Sequence, residues 1–494
     1  MSKIRSFFSS FLPLSLLLGL FVRSYQFADR FSYAHDNDLA SWIIKDIVFD
    51  HHLRLIGQLT SSPGIFIGPI YYYLLIPFYA LAHWDPIGSV WFSVIIGGLA
   101  IASVYYVFNR LYGRLPASVG SLIYAVSWSI AGTEREVVPT TPVFLWTIWF
   151  YYTINLLFQG KSRGILYAFI LAALVWDINL ALGLVFPLVL IALLVRHRRF
   201  VRRDFLVPAV SALVLSLPLI LFEVRHGFSQ TRALWQTLVH TGSGHINLPA
   251  KLNHVVLYAA QNATRIFYWN PPADLSVYLI PVLLLLFLVY LSLRRRFLQP
   301  RDIFIYLFWL SAFIGFFLFN SINLSEYYLN GANILWICLA TLVLSWLMSL
   351  GRFARVAALV VVAFFAWENL SSFITAPNNA SGYVERTALV KYIAADAAAH
   401  RYPCIAVSYI TSPGNNLGYR YLFYRAGLHV NQPKSQSPVY TIVFPLSYVD
   451  RLDKTFGSLG VILPDYNRYT PSGIAVSCSG ANANLTDPMF GFTN

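Results

Sequence analysis

In the stretch SYAHDNDLASWIIKDI, residues 32–47, the carboxylates Asp36 and Asp38 stand two positions apart, just after the first apolar run of a chain that is 57% hydrophobic and 11% charged. Ionising an acid close to apolar bilayer and to a second acid is costly, so such a pair points to a task. Downstream, Ala40, Ile43, Ile44, Ile47 and Val48 recur at helical spacing, with Ser41, Lys45 and Asp46 on the other face. Residues 40–48 therefore read as an amphipathic helix lying on the membrane, with the two acids at its N-terminal end. Asp38, like Asn37, is also suited to cap that helix, which accounts for one acid but not for both.

Other polar groups gather in a few further places. GTEREVVPTTP, 132–142, supplies Glu134, Arg135 and Glu136; FEVRHGF, 222–228, supplies Glu223, Arg225 and His226; RIFYWNPP, 265–272, supplies Arg265; and SEYYLNG, 325–331, supplies Glu326 and Tyr327. Arg225 stands at a helix end, where an arginine often snorkels to headgroups. Glu223 could pair with Arg225, and Tyr327 with Tyr328 also suits an interfacial aromatic belt. Asp50, His51 and His52, with Asp36 and Asp38, raise a possible divalent cation. Adjacent histidines point apart on a helix, however, so no metal ligands are assigned. The sequence holds no zinc-ligand spacing and no glycine-rich nucleotide loop, which argues against a structural metal and against ATP-driven transport.

The elements that must position these groups are membrane helices. The 494 residues have a mean hydropathy of +0.60, with 17% aromatics. Apolar segments fall near 7–22, 87–107, 115–131, 142–158, 164–177, 180–196, 205–221, 276–293, 303–320, 329–349 and 354–372, about eleven transmembrane helices in a mainly α, polytopic membrane protein. The first segment follows Lys3 and Arg5 but lacks a small-residue cleavage site, and it reads as a retained helix.

The net charge of +14 is concentrated in short loops: Arg110 and Arg114, Lys161 and Arg163, the Arg196–Arg203 cluster, Arg294–Arg301, Arg352 and Arg355. The intervening loops 132–141, 178–179 and 321–328 hold only Arg135. This is the asymmetry that orients a membrane protein, not a nucleic-acid footprint, and it makes the N-terminus cytoplasmic and the C-terminus extracytoplasmic. The aromatic run at 68–84 would reverse every later loop if it crossed. It reads instead as a re-entrant or interfacial helix, with Tyr71, Tyr72, Tyr73 and Trp84 at the headgroups.

The expected organisation is a transmembrane domain, 1–372, with long outer loops 23–86 and 222–275, followed by a small extracytoplasmic α/β domain, 373–494. In that tail 384–398 looks helical, and CIAVSYI, YTIVFPL, LGVILP and GIAVSC look like strands. Of three cysteines, Cys338 lies in an apolar span, while Cys404 and Cys478 leave a tail disulfide open.

The acid-led loop DLASWIIKDIVFDHH, then LIG and PGIFIGPIYYYL, resembles the lipid-phosphate-sugar-dependent GT-C glycosyltransferases, the protein O-mannosyltransferase and aminoarabinose-transferase group, over roughly residues 1–330. Such proteins carry an Asp-Glu pair in this loop and an acid ten residues on. Asp36 and Asp46 hold that spacing, which makes Asp36 the match to the catalytic acid; Asn37 departs from the usual Glu and leaves Asp38 as a rival. The resemblance implies a multi-pass plasma-membrane enzyme that moves a sugar from a polyprenyl-phosphate donor to an acceptor hydroxyl of a protein, lipid or glycan at the outer face. Asp36 would be the base, and Arg225 would meet the leaving phosphate. Glu134, Arg135 and Glu136 would lie near the site. A lipid-linked saccharide flippase or transporter is the alternative; it predicts acids at mid-span, whereas here the carboxylates gather in loops.

Overall fold

A computed structural model describes residues 11–239, 248–268, 270, 275–294, 298–320 and 324–480. The chain forms two compact units. One, the helical unit, comprises Met1–Tyr25, Ser93–Arg135 and Pro139–Ala376; the other, the α/β unit, comprises Gln26–Phe92, Glu136–Val138 and Pro377–Asn494. The domain boundary expected at 372/373 lies close to the break at Ala376. The first long loop, which the sequence assigns to the transmembrane domain, instead folds with the tail.

Among the described residues six helices are long and apolar enough to cross a bilayer, five wholly in the helical unit and one, Gly88–Tyr112, in it from Ser93 onwards. They are Gly88–Tyr112, Arg202–Arg225, Leu275–Leu293, Pro300–Phe319, Tyr327–Leu350 and Arg352–Thr375, and Arg114–Val126 with Trp128–Glu134, bent by 61°, makes a seventh if the pair crosses as one span. The other four apolar segments fall on Phe11–Ser24, Val143–Phe158, Arg163–Ile178 and Leu180–Val195, each shorter than the roughly 20 residues that a bilayer core requires. Aromatic rings fill the core, with Trp146 stacked on Phe150 at 4.8 Å and Trp309 edge-on to Phe150 at 5.2 Å. The helices Leu206–Arg225 and Arg352–Thr375 leave Leu206, Val214, Phe364 and Trp367 exposed, a surface suited to lipid. The segment expected as a long outer loop at 222–275 contains two helices, Ser229–Val239 and Leu248–Arg265.

The α/β unit joins Tyr383–Ala399 to a five-stranded mixed sheet. Its strands are β1 (Ile405–Thr411), β2 (Val430–Asn431), β3 (Val439–Phe444), β4 (Lys454–Phe456) and β5 (Leu459–Ile462), in the order β2-β1-β3-β5-β4. β1 runs parallel to β2 and β3, while β5 runs antiparallel to β3 and β4. Ile405, Val407, Tyr440, Ile442 and Val461 pack with Leu389 and Ile393 in one core. GIAVSC is not a strand: Pro471–Ser477 is a helix, started by Pro471 and capped by the Thr470 hydroxyl, which accepts from Gly473 N at 3.2 Å. A disulfide joins Cys404 to Cys478.

Two helices of the first loop complete this unit. His35–Val48 packs against Ile70–Leu81 and against the short helix Arg420–Arg425. Its apolar stripe does not lie on the membrane as expected, because Ala40, Ile43 and Ile44 are buried in protein. Ile70–Leu81 has 12 residues, about 18 Å of helix, too short to span. Tyr71 and Tyr72, expected at the headgroups, are buried, while Leu74 and Leu81 on the same helix are exposed.

Candidate active site

The two acids that open the helix His35–Val48 have opposite surroundings, and Asn37 between them decides how the helix begins. The Asn37 Oδ1 accepts from Ala34 N at 3.0 Å, and its Nδ2 donates to the carbonyls of Glu136 and Val137, each at 2.9 Å. Two carbonyls here need a donor. A glutamate cannot supply one, which gives a physical reason for the departure from the Asp-Glu pair.

Asp38 is buried, and its carboxylate faces the N-terminus of Arg420–Arg425 rather than capping its own helix. Its Oδ1 accepts from the Tyr33 hydroxyl and from Tyr421 N, both at 3.0 Å, and its Oδ2 accepts from Arg420 N at 3.2 Å. Burial pushes this carboxyl above the usual carboxylate range, against the pull of the Tyr421 amide, the Tyr33 hydroxyl and the charges of Arg420 and Arg386. Burial also raises the Tyr33 phenol, with Asp38 adding to it. Asp38 is thus a tie between the first loop and the tail, with both oxygens occupied.

Asp36 is half-buried and receives one hydrogen bond, from the Gln58 Nε2 to Oδ1 at 2.8 Å. Its Oδ2 has no partner among the described residues. Gln58 is held in turn by Tyr72, whose hydroxyl donates to Oε1 at 3.1 Å and accepts from the Gln58 backbone N at 3.2 Å. Ten residues on, Asp46 is buried and committed, accepting from Arg54 at 3.3 Å and lying 2.7 Å from the His52 Nδ1. Burial lowers the Arg54 pKa, and the charge of Asp46 offsets part of that. Lys45 pairs with Asp50 at 2.5 Å. Among the described residues no group of three or more His, Cys, Asp and Glu side chains is arranged to hold a metal ion, and His51 and His52 do not converge with Asp36 and Asp38.

The remaining candidates divide into structural and open groups. Glu134 is fully buried in the helical unit, held by Arg23 at 2.5 Å and by the Tyr124 hydroxyl at 2.6 Å. Arg135 donates to the carbonyls of Val22 and Tyr25 at 2.7 and 3.0 Å, closing the end of Phe11–Ser24, and lies 5.2 Å from the Phe373 ring. Glu136, in the α/β unit, is exposed. Glu223 does not pair with Arg225. It caps Ser229–Val239, accepting from Gln230 N at 3.0 Å and from the Thr231 amide and hydroxyl at 3.1 and 2.6 Å. His226 stacks on Phe222 with ring centroids at 4.0 Å, its Nδ1 2.9 Å from the Phe222 carbonyl. Arg225, at the end of Leu206–Arg225, is exposed and has no partner among the described residues. Arg265 ends Leu248–Arg265 and is half-buried. Tyr327 is exposed, with its ring 4.3 Å from that of Tyr328; the Glu326 side chain lies outside the described part.

Arg23, Tyr33, Arg54, Gln58 and Tyr421 carry no motif and escape a reading by sequence, and Tyr72, read there as an interfacial aromatic, has a different part in the structure. They are partners chosen by the fold, and the one trace of this set in the sequence is Gly57, where a Cβ would overlap the Tyr72 ring.

No protein-family model matches the sequence, and no curated protein does. Among solved structures the chain is similar to ArnT from Cupriavidus metallidurans in the apo state, with a TM-score of 0.58 and 12% identity over 95% of this chain and 100% of that one. It is also similar to the same protein bound to undecaprenyl phosphate, with a TM-score of 0.56 and 13% identity over 93% of this chain and 98% of that one. The likeness runs through nearly the whole of both chains, and the protein has the GT-C fold.

Proposed function

We propose that this protein is a membrane glycosyltransferase that takes a sugar from a polyprenyl phosphate and gives it to an acceptor hydroxyl at the extracytoplasmic face, with Asp36 as general base. The observation that carries this reading is the contrast between the two acids: Asp38 has both oxygens occupied by the fold, whereas Asp36 is partly open and has one oxygen without a partner among the described residues. The acceptor oxygen attacks C1 of the sugar, the bond from C1 to the phosphate oxygen breaks, and its electron pair leaves with the polyprenyl phosphate. The acceptor's proton goes to the Oδ2 of Asp36.

The GT-C fold supports the lipid-phosphate donor, as does the undecaprenyl phosphate bound by the similar ArnT structure. The Cys404–Cys478 disulfide supports an oxidising, extracytoplasmic compartment for the α/β unit. In the helical unit, Arg225 offers an exposed fork suited to phosphate.

The test is release of undecaprenyl phosphate from a panel of undecaprenyl-phosphate-linked hexoses and pentoses by the purified protein. Asp36→Asn should lose at least about a hundredfold in kcat. Wild-type turnover in Asp36→Asn would sink the assignment of the base.

A further inference from the structure

The geometry points to Gln58 and Tyr72 as a positioning relay that fixes one oxygen of Asp36 and leaves the other presented to the acceptor hydroxyl. This rests on the reading of Asp36 as base. It adds Gln58, which no sequence motif marks, and Tyr72, which the sequence places only in an aromatic run, and it gives them roles separate from contact with substrate.

A carboxylate on the first turn of a helix can turn about two torsions, and a base works only when its lone pair is aimed at the proton it takes. The Gln58 Nε2 removes that freedom by donating to the Asp36 Oδ1 at 2.8 Å. An amide is useful here only if it is not flipped, and Tyr72 prevents the flip. Its hydroxyl donates to the Gln58 Oε1 at 3.1 Å while accepting the backbone N–H of the same residue at 3.2 Å. With Oε1 held by Tyr72, the amide nitrogen, the donor end of the group, faces Asp36.

Both members of the relay are rigid. Gln58 is 8% exposed, and its backbone is clamped in a short hairpin, with Ile67 N to Gln58 O at 2.9 Å and Gly57 N to Ile67 O at 2.7 Å. Tyr72 is fully buried, edge-on to Tyr71 at 5.3 Å, and its ring occupies the space that a side chain at residue 57 would need. A neutral donor suits this role better than Lys or Arg, because it orients the base without forming an ion pair that the incoming proton would have to break.

The experiment measures kcat and donor KM for release of undecaprenyl phosphate from the active undecaprenyl-phosphate-linked sugar. Gln58→Leu and Tyr72→Phe should lower kcat, the first by about tenfold or more, with KM held within about twofold. Gln58→Glu keeps the shape and the bond from Tyr72 but loses the donor, so it should be at least as slow as Gln58→Leu. If the two residues act in series, adding Tyr72→Phe to Gln58→Leu should cost nothing further. Tyr73→Phe is the control, since it removes a 3.0 Å bond from the same helix to the Arg54 carbonyl without touching the relay, and it should leave kcat unchanged. A wild-type kcat in Gln58→Glu would overturn the relay, as would full additivity of the double variant. If Asp36→Asn itself turned over normally, the reading of the base would fail instead.

Discussion

Replacing Asp38 by alanine separates the structural acid from the proposed chemical one. The change removes the acceptor for three donors: the Tyr33 hydroxyl, Tyr421 N and Arg420 N, at 3.0, 3.0 and 3.2 Å. Tyr33 and Tyr421 are buried, so no water replaces the lost bonds, and each orphaned donor costs about 1–3 kcal/mol. Part of that is returned because a desolvated carboxylate disappears with them. The net loss is about 3 kcal/mol, which for a unit of 150–250 residues lowers the unfolding temperature by about 6–12 °C. The assay is thermal unfolding in detergent at neutral pH, combined with hydrogen exchange at the Arg420 and Tyr421 amides, which should lose protection first. Asp36→Ala, by contrast, should move the unfolding temperature by no more than about 2 °C while removing turnover. Unchanged exchange at residues 420 and 421 in Asp38→Ala would refute the assignment of Asp38 as a tie.

The remaining predictions concern pH, the buried ion pair, the disulfide and Arg225. Because the folded pKa of Asp38 is raised, the folded state binds a proton that the unfolded chain releases; stability from this group is full below about pH 3.8 and is lost as pH rises through the folded value. Asp38→Asn should flatten that fall in a pH series of urea unfolding. Glu134→Gln leaves Arg23 charged, buried and uncompensated, and should cost about 3–5 kcal/mol in unfolding, whereas Arg23→Leu with Glu134→Leu should recover most of it. Cys404→Ser opens a linkage across 74 residues and should destabilise the α/β unit by about 4 kcal/mol, read by denaturant unfolding with and without reductant. Arg225→Ala should raise donor KM about tenfold at an unchanged unfolding temperature, because the side chain has no structural partner to lose among the described residues.

Much of this was legible in the sequence because apolar length and tail periodicity are local properties. The helices at 88–112, 206–225 and 352–375, the helix at 383–399 and the strands β1, β3 and β5 all come from patterns within one short segment. What escaped was non-local. The stripe of Ala40, Ile43 and Ile44 marks a surface to be covered, but a stripe does not say whether lipid or protein covers it. At the site, spacing singled out Asp36, while ranking it above Asp38 required knowing that Arg420 and Tyr421, about 380 residues later, bring their amides to Asp38. Glu134 and Arg135 are candidates only through the family resemblance of their loop; their partners, Arg23 and the carbonyls of Val22 and Tyr25, are fixed by helix packing that no loop motif records. GIAVSC alternates like a strand, but the preceding Thr470 and Pro471 are a helix start, and at seven residues the start outweighs the alternation.

The α/β unit takes one part of its material from residues 26–92 and most of the rest from 377–494. On a ribosome adding about 5–20 residues each second, the earlier piece waits about 15–60 s for its sheet. Throughout that interval Phe31, Tyr33 and Asp38 are without the tail groups that cover them, so nascent chains at this stage are the ones most exposed to proteases and holdases. A premature stop anywhere before residue 377 makes the wait permanent, and shortened products should be cleared even when every membrane segment has been inserted.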